Sequence, residues 1–239
     1  MIRKILAAGV CAALTMMLFG LPAEANHSWG TYHWARKTNP FTLKLGDNVT
    51  ANWEAYLSEA STYWTKSSVL DTTVVTGGVS NLKRCNPTSG RVEVCNASYG
   101  YNGWLGLAGI SVSGGHITSG YVKLNDSYFN SSSYNKPEWR RLVICQEIGH
   151  TFGFDHQDEK FDNPNLGTCM DYTSNPLGPP SNEHPNEHDY DWLGTIYTHL
   201  DSSTTVGQST GTGKGKSRSR IDDVDAHGNG TVTFILWAE

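Results

Sequence analysis

The sequence predicts an α+β fold, and two patterns along its 239 residues support this class. Short segments that alternate polar and apolar residues, or that are rich in β-branched residues, predict strands. Longer segments with apolar residues three and four positions apart predict helices. Because the two patterns are interspersed between residues 41 and 237, we expect strands and helices within one main domain.

Strands are predicted first at 41–45, 72–76 and 91–94. The glycine-rich stretch at 100–125 predicts two or three further short strands at the edge of a sheet. Its only histidine, His116, stands apart from other candidate ligands in the sequence. We interpret it as a surface residue rather than as a metal ligand.

Three helices are predicted. The first has Asn52 as its N-cap, and the third spans 187–200. The second has Pro137 in its first turn and is expected to end at Gly153. Helical spacing explains the aromatic residues of the first helix as core, which we prefer to a sugar-binding stripe. The predicted inward-facing residues are Trp53, Tyr56, Leu57, Ala60, Tyr63 and Trp64 in the first helix, Trp139, Leu142, Val143 and Ile144 in the second, and Trp192, Leu193, Ile196, Tyr197 and Leu200 in the third.

The first 25 residues have the three parts of a secretory signal peptide. Arg3 and Lys4 form a short basic start, an apolar run follows at 5–21, and residues 23–25 form a small-residue cleavage site. The apolar run is short for a membrane anchor. We therefore expect a secreted, extracellular chain that begins at Asn26 and has no contact with a membrane after cleavage.

The charge of the mature chain argues against two classes of partner. Removal of Arg3, Lys4 and Glu24, which together carry +1, changes the formal net charge from −5 to −6. A chain with this acidic balance is not expected to bind nucleic acid or an anionic membrane.

The length of the mature chain suits one domain and an extension. We predict a main domain at 26–200, a flexible Ser/Thr/Gly-rich linker at 201–219 and a C-terminal segment at 220–239. Within that segment, residues 231–237 predict a strand. This strand must pair with another one, which the sequence does not identify.

Four cysteines remain after removal of Cys11 with the signal peptide. An even number in an exported chain predicts two disulfides, for which three pairings are possible. We favour Cys85–Cys95, which closes a short loop, and Cys145–Cys169. A four-cysteine zinc site is disfavoured because the sequence has no C-x-x-C pair.

Residues 145–156, CQEIGHTFGFDH, contain most of a zinc-protease signature. Gln146 and His150 are four residues apart on a predicted helix and therefore share a face. Glu147 lies next to that face, where a general base would lie. Gly153 allows the turn that would return His156 to the same place. The acidic loop that follows, at 155–163, is most simply a solvated loop, although its oxygens are also compatible with calcium.

These residues resemble the metzincin clan of zinc endopeptidases, in a small, secreted, matrixin-like form. Met170 matches the methionine turn of the clan, and Tyr172 follows two residues later. The resemblance implies that Gln146, His150 and His156 hold zinc and that Glu147 is the general base. Tyr172 would bind zinc, stabilise the oxyanion or only contribute to packing.

The resemblance covers about residues 26–200 and implies a particular architecture. A twisted mixed β-sheet would carry two long helices above the cleft, with a small C-terminal subdomain that contains one helix. The glycine-rich region at 103–124 would correspond to the edge strand that binds substrate as an added strand. The implied activity is that of a monomeric metalloendopeptidase that acts on peptides or proteins.

Gln146 departs from the clan pattern, which has histidine at this position. Glutamine has a similar reach and is also neutral, but an amide oxygen is a weaker zinc ligand than imidazole. Two other functions therefore stay open: a catalytically inactive metzincin-like protein that binds peptides or proteins in the same cleft, and an extracellular carbohydrate-binding module.

Overall fold

A computed structural model describes residues 27–207, 223–225 and 227–238 of the chain. It has a mixed β-sheet and four helices, which confirms the predicted α+β class. The predicted signal peptide and most of the predicted linker lie outside these residues. Among the described helices, none is both long enough and apolar enough to cross a membrane.

The sheet contains eight strands in the order β3-β2-β4-β6-β5-β8-β7, and β1 pairs with the start of β6. β2, β3, β4 and β6 are parallel, whereas β5 is antiparallel to both β6 and β8. The strands are β1 (His33–Trp34), β2 (Phe41–Asn48), β3 (Leu70–Thr76), β4 (Val92–Ala97), β5 (Trp104–Ser113), β6 (His116–Asn125), β7 (Asp223–Val224) and β8 (Gly230–Trp237).

Three of the four helices in the described residues lie where the sequence predicted them, with differences at their ends, and the short α2 was not predicted. They are α1 (Ala51–Trp64), α2 (Asp126–Phe129), α3 (Pro137–His150) and α4 (Glu187–Ile196). The predicted N-cap Asn52 is wrong: Thr50 is the extended residue before α1, and its carbonyl accepts the first helical hydrogen bond, from Trp53. Leu200 is exposed rather than inward, because α4 ends at Ile196.

The hydrophobic core lies between the sheet and the pair of helices α1 and α3. Trp53 and Trp64 of α1 are fully buried, and so are Val143 and Ile148 of α3. Large aromatic side chains bury the most apolar area and therefore stabilise this contact most. The core fixes α3, whose second half carries the motif residues.

The glycine-rich region differs from its prediction in two respects. It forms a hairpin of two ten-residue strands, β5 and β6, rather than two or three short ones. β5 is also not an edge strand, because β8 pairs along it from Trp104 opposite Trp237 to Val112 opposite Gly230. β8, the predicted C-terminal strand, is therefore paired with β5, which lies in the region expected to bind substrate.

Both predicted disulfides are confirmed, Cys85–Cys95 and Cys145–Cys169. The second joins α3 to the turn that contains Met170. The start of the predicted linker is packed on the domain: the Asp201 N–H donates to the Arg36 carbonyl, and the backbone hydrogen bonds of this segment continue to residue 207.

Candidate active site

The second half of α3 carries three of the predicted site residues. Gln146, Glu147 and His150 are all fully buried. The chain then turns at Gly153, whose φ of +103° favours glycine. A Cβ atom at this position would lie 2.2 Å from the Tyr32 carbonyl oxygen, so the turn also depends on a close approach of backbone.

The turn brings the two predicted histidine ligands together. His150 Nε2 and His156 Nε2 are 2.9 Å apart. The Nδ1 atoms of the two rings lie 3.0 Å from the Phe154 carbonyl oxygen and 3.1 Å from Glu159 Oε1, respectively. A carbonyl and a carboxylate only accept hydrogen bonds, so both Nδ1 atoms are the donors. The two Nε2 atoms therefore face each other at hydrogen-bond distance, and in a neutral ring Nε2 carries a lone pair.

Two nitrogen lone pairs 2.9 Å apart repel each other unless a proton or a metal cation lies between them. Burial, and then the neighbouring His156, lower the pKa of His150 well below its usual range. His150 is therefore a neutral imidazole, the form that a metal ion uses as a ligand. The outward hydrogen bonds from Nδ1 also fix the two rings as they do in metal centres.

Gln146 supplies a third polar atom that lacks a partner. Its Nε2 donates to the Cys169 carbonyl at 2.7 Å, which defines the orientation of the amide. Its Oε1 is buried and has no hydrogen-bond partner among the described residues. An orphaned buried acceptor is costly, and a bound cation would satisfy it.

Glu147 is buried between α3 and the sheet. Neither of its carboxylate oxygens makes a hydrogen bond of normal geometry within the described part of the chain, although the Leu236 N–H approaches them. Burial raises the pKa of Glu147 well above its usual range, and the Leu236 N–H opposes this only in part. Glycine is required at 106, because a Cβ there would lie 2.4 Å from Glu147 Oε1.

Met170 lies beneath α3 and is fully buried. A Cβ at Gly149, in α3, would lie 2.6 Å from Met170 Sδ, so the helix and the turn are in close contact here. The Met170 carbonyl also accepts a hydrogen bond from the Gln157 N–H at 2.7 Å. The methionine turn thus supports both α3 and the loop that carries His156.

Strand β8 covers this group of residues. The Phe234 ring stacks on the His150 ring with centroids 4.1 Å apart and planes 7° from parallel. The Tyr172 hydroxyl donates to the Ile235 carbonyl at 3.0 Å, and the Tyr172 ring lies 4.5 Å from that of His156. Sequence reasoning did not predict this placement, since strand propensity at 231–237 does not specify a partner.

A pocket remains beside His156, bounded by Phe161, Tyr172 and strand β8. Asp155, His156 and Glu159 bring donor atoms within 4.8 Å of one another. This set includes an imidazole nitrogen, whereas calcium prefers oxygen ligands. The compatibility of the loop with calcium stays a prediction.

His116 is partly exposed, and its side chain belongs to a cluster that the sequence did not predict. Its Nε2 lies 3.2 Å from Asp201 Oδ1, and His33 and His199 lie close to the same oxygen. These four residues are scattered over 169 positions, and no local spacing in the sequence signals that they meet.

No known family model matches the chain, and a search of curated proteins finds no match. Any functional assignment therefore depends on the geometry and chemistry of the residues themselves.

Proposed function

We propose that this chain is a secreted, zinc-dependent endopeptidase of metzincin type. The observation that carries the proposal is the close approach of His150 Nε2 and His156 Nε2, which face each other 2.9 Å apart while both Nδ1 atoms donate elsewhere. Such an arrangement suits a cation with nitrogen ligands, of which zinc is a common one in hydrolases.

Gln146 Oε1, His150 Nε2 and His156 Nε2 would hold the metal. Three protein ligands leave one position open, as in catalytic rather than structural zinc sites. When bound, zinc supplies Lewis acidity, which polarises a peptide carbonyl and makes water more acidic.

Glu147 would move the proton. In the conformation with β8 in place, burial favours its protonated form. Departure of β8 would return water to the carboxylate and lower its pKa, so that Glu147 accepts a proton from the attacking water and delivers it to the leaving amine.

Tyr172 would bind the carbonyl oxygen of the scissile bond. Its hydroxyl already donates to a peptide carbonyl in this cleft, that of Ile235. The same hydrogen bond would become stronger as negative charge develops on a substrate oxygen in the transition state.

The proposed substrate class is an extended peptide or unfolded protein segment. β8 supplies a template for its path: an antiparallel strand on β5, with an aromatic side chain on His150 and a carbonyl at Tyr172. Backbone hydrogen bonds to a strand bind peptides with little regard to sequence, and pockets select side chains. Because β8 occupies this path, catalysis requires its displacement.

The decisive experiment uses the full chain with Phe234→Ala, which weakens the docking of β8. Cleavage of a denatured protein substrate is measured with and without a further Glu147→Ala change, and Glu138→Ala in the same helix is the control. We expect cleavage that is lost only with Glu147→Ala. The three zinc-loaded proteins are Phe234→Ala alone, with Glu147→Ala and with Glu138→Ala. If all three are folded by circular dichroism and none cleaves the substrate, the proposed protease activity is refuted.

A second function is favoured by one observation. The Gln146 amide donates to the Cys169 carbonyl, as a purely structural glutamine would. In that case the chain is a non-catalytic metzincin-like protein that binds peptides on β5. Peptide binding by the Phe234→Ala chain, without cleavage and insensitive to chelator, would support this function.

A further inference from the structure

A second cluster of histidines lies outside the candidate active site, where three parts of the chain meet. β1 pairs in parallel with the start of β6, and this register places His33 directly beside His116. Asp201 follows α4 and is fixed to the start of the domain by the hydrogen bond from its N–H to the Arg36 carbonyl. The cluster thus joins the first strand, the sheet and the segment after the last helix.

The donor atoms in this cluster converge on one carboxylate oxygen. Asp201 Oδ1 lies 3.5 Å from His33 Nε2, 3.2 Å from His116 Nε2 and 3.4 Å from His199 Nε2. In a tetrahedral site with metal–ligand bonds of about 2.0–2.2 Å, neighbouring donors are roughly 3.3–3.6 Å apart. The three separations from Asp201 Oδ1 fall in or close to this range, and the donor atoms of His33, His116 and Asp201 all lie within 4.8 Å of one another.

Hydrogen bonding accounts for only part of this cluster, because a normal hydrogen bond within it joins His116 Nε2 and Asp201 Oδ1. His33 is only 8% exposed, and its Nδ1 donates to the Thr31 carbonyl at 2.7 Å. In the neutral His33 ring the opposite nitrogen, Nε2, carries a lone pair, and it has no hydrogen-bond partner of normal geometry among the residues described. A buried lone pair directed at a carboxylate oxygen is unfavourable unless a cation lies between them.

The second carboxylate oxygen of Asp201 is already used. Asp201 Oδ2 accepts from Arg36 Nη1 at 2.9 Å and from the Arg36 backbone N–H at 3.1 Å. These bonds orient the carboxylate and leave Oδ1 for a further ligand role. Outer hydrogen bonds of this kind, from Asp201 to Arg36 and from His33 to Thr31, are typical of protein metal centres.

We propose that His33, His116 and Asp201 form a second binding site, for a transition-metal ion of the zinc class, next to the exposed His199. Two imidazoles and one carboxylate match the preferences of zinc and are a poor set for calcium or magnesium. A bound ion would fasten the start of the domain to the segment that follows α4.

The test uses the full chain with His150→Ala and His156→Ala, which removes the two histidines of the candidate active site. Zinc per chain is measured by elemental analysis after dialysis, and Co²⁺ is titrated to record the visible absorption of tetrahedral coordination. We expect one zinc per chain and a tetrahedral Co²⁺ spectrum. Adding either His33→Ala or His116→Ala should abolish both, whereas adding His199→Ala should keep the bound equivalent.

His227→Ala, a change at an exposed histidine outside the cluster, is the matched control and should leave the zinc content unchanged. Absence of zinc and Co²⁺ binding in the folded double variant would overturn the proposal, as would binding that survives both His33→Ala and His116→Ala. If the double variant does not fold, the comparison is between wild type and His116→Ala, and the proposal requires the loss of one zinc per chain.

Discussion

The ring of Phe234 stacks on the imidazole of His150, with centroids 4.1 Å apart. One residue comes from the last strand of the described chain, and the other from the centre of the zinc-protease signature. The contact places an extended segment of the chain across the residues that would bind and cleave a peptide. In this conformation β8 therefore covers the candidate active site.

Truncation of Phe234 should uncover the cleft. Phe234→Ala removes a buried ring from β8, so we expect the free energy of unfolding to fall by about 3 kcal/mol. Peptidase activity should rise at the same time, because β8 then competes less well with substrate. Both are measured on one preparation, by urea unfolding and by cleavage of a quenched fluorescent peptide. Trp237→Ala, at the exposed end of the same strand, is the control.

A rise in activity with Trp237→Ala equal to that with Phe234→Ala would show that general loosening of β8 matters and that the contact with His150 does not. Unchanged peptide binding and activity in Phe234→Ala would contradict the role of β8 as an occupant of the cleft.

The two disulfides should differ in their effect on metal binding. Replacement of Cys145 and Cys169 by alanine frees the methionine turn from α3, next to Gln146. We expect a loss of stability on the order of 3 kcal/mol and a lower zinc affinity of the proposed active site. Replacement of Cys85 and Cys95 should reduce stability without changing this affinity.

Zinc affinity is measured for both double variants by competition with a chromophoric chelator, in a His116→Ala background that removes the proposed second site. Equal affinities in the two variants would mean that the Cys145–Cys169 bond does not organise the ligands.

Asp189 should make the stability of the fold depend on pH. Burial raises its pKa to about 6, against the opposing hydrogen bonds from Thr168 and Asn186. The folded state therefore binds this proton more tightly than the unfolded state, whose value is 3.8. Asp189 therefore contributes most to the free energy of unfolding below pH 4, where it is protonated. This contribution, up to roughly 3 kcal/mol, is lost as the pH rises to about 6.

Asp189→Asn removes this dependence. The free energy of unfolding is measured by urea at pH 4 and pH 7. It should differ less between the two pH values in the variant than in wild type. Relative to wild type, the variant should therefore be more stable at pH 7 than at pH 4. The opposite change, with the variant relatively more stable at pH 4, would contradict a raised pKa.

The sequence predicted the local features of this molecule better than its distant contacts. α3 and the turn at Gly153 were predictable because helical spacing and the conformational freedom of glycine act within a few residues. The pairing of β8 with β5 was not, because any strand with a suitable pattern could occupy that position. The same holds for His33, His116 and Asp201, which meet only through the sheet and the packing of the segment after α4.

The proposed zinc site departs from the usual ligand set at Gln146. Gln146→His replaces an amide oxygen with an imidazole, which can donate to the Cys169 carbonyl through one nitrogen and bind metal through the other. Changes in the outer shell alone alter metal affinity by about 10–100-fold, so this change of ligand should raise zinc affinity by at least tenfold. Gln146→Ala should lower it.

The zinc content of wild type, Gln146→His and Gln146→Ala is measured in the same His116→Ala background. A wild-type content near one per chain that is lost in Gln146→Ala would mean that the glutamine is a working ligand. A content near zero in wild type that is restored by Gln146→His would mean that the fold retains the site without the metal. The cleft beneath β8 would then be a peptide-binding surface, and the alternative function would replace the protease.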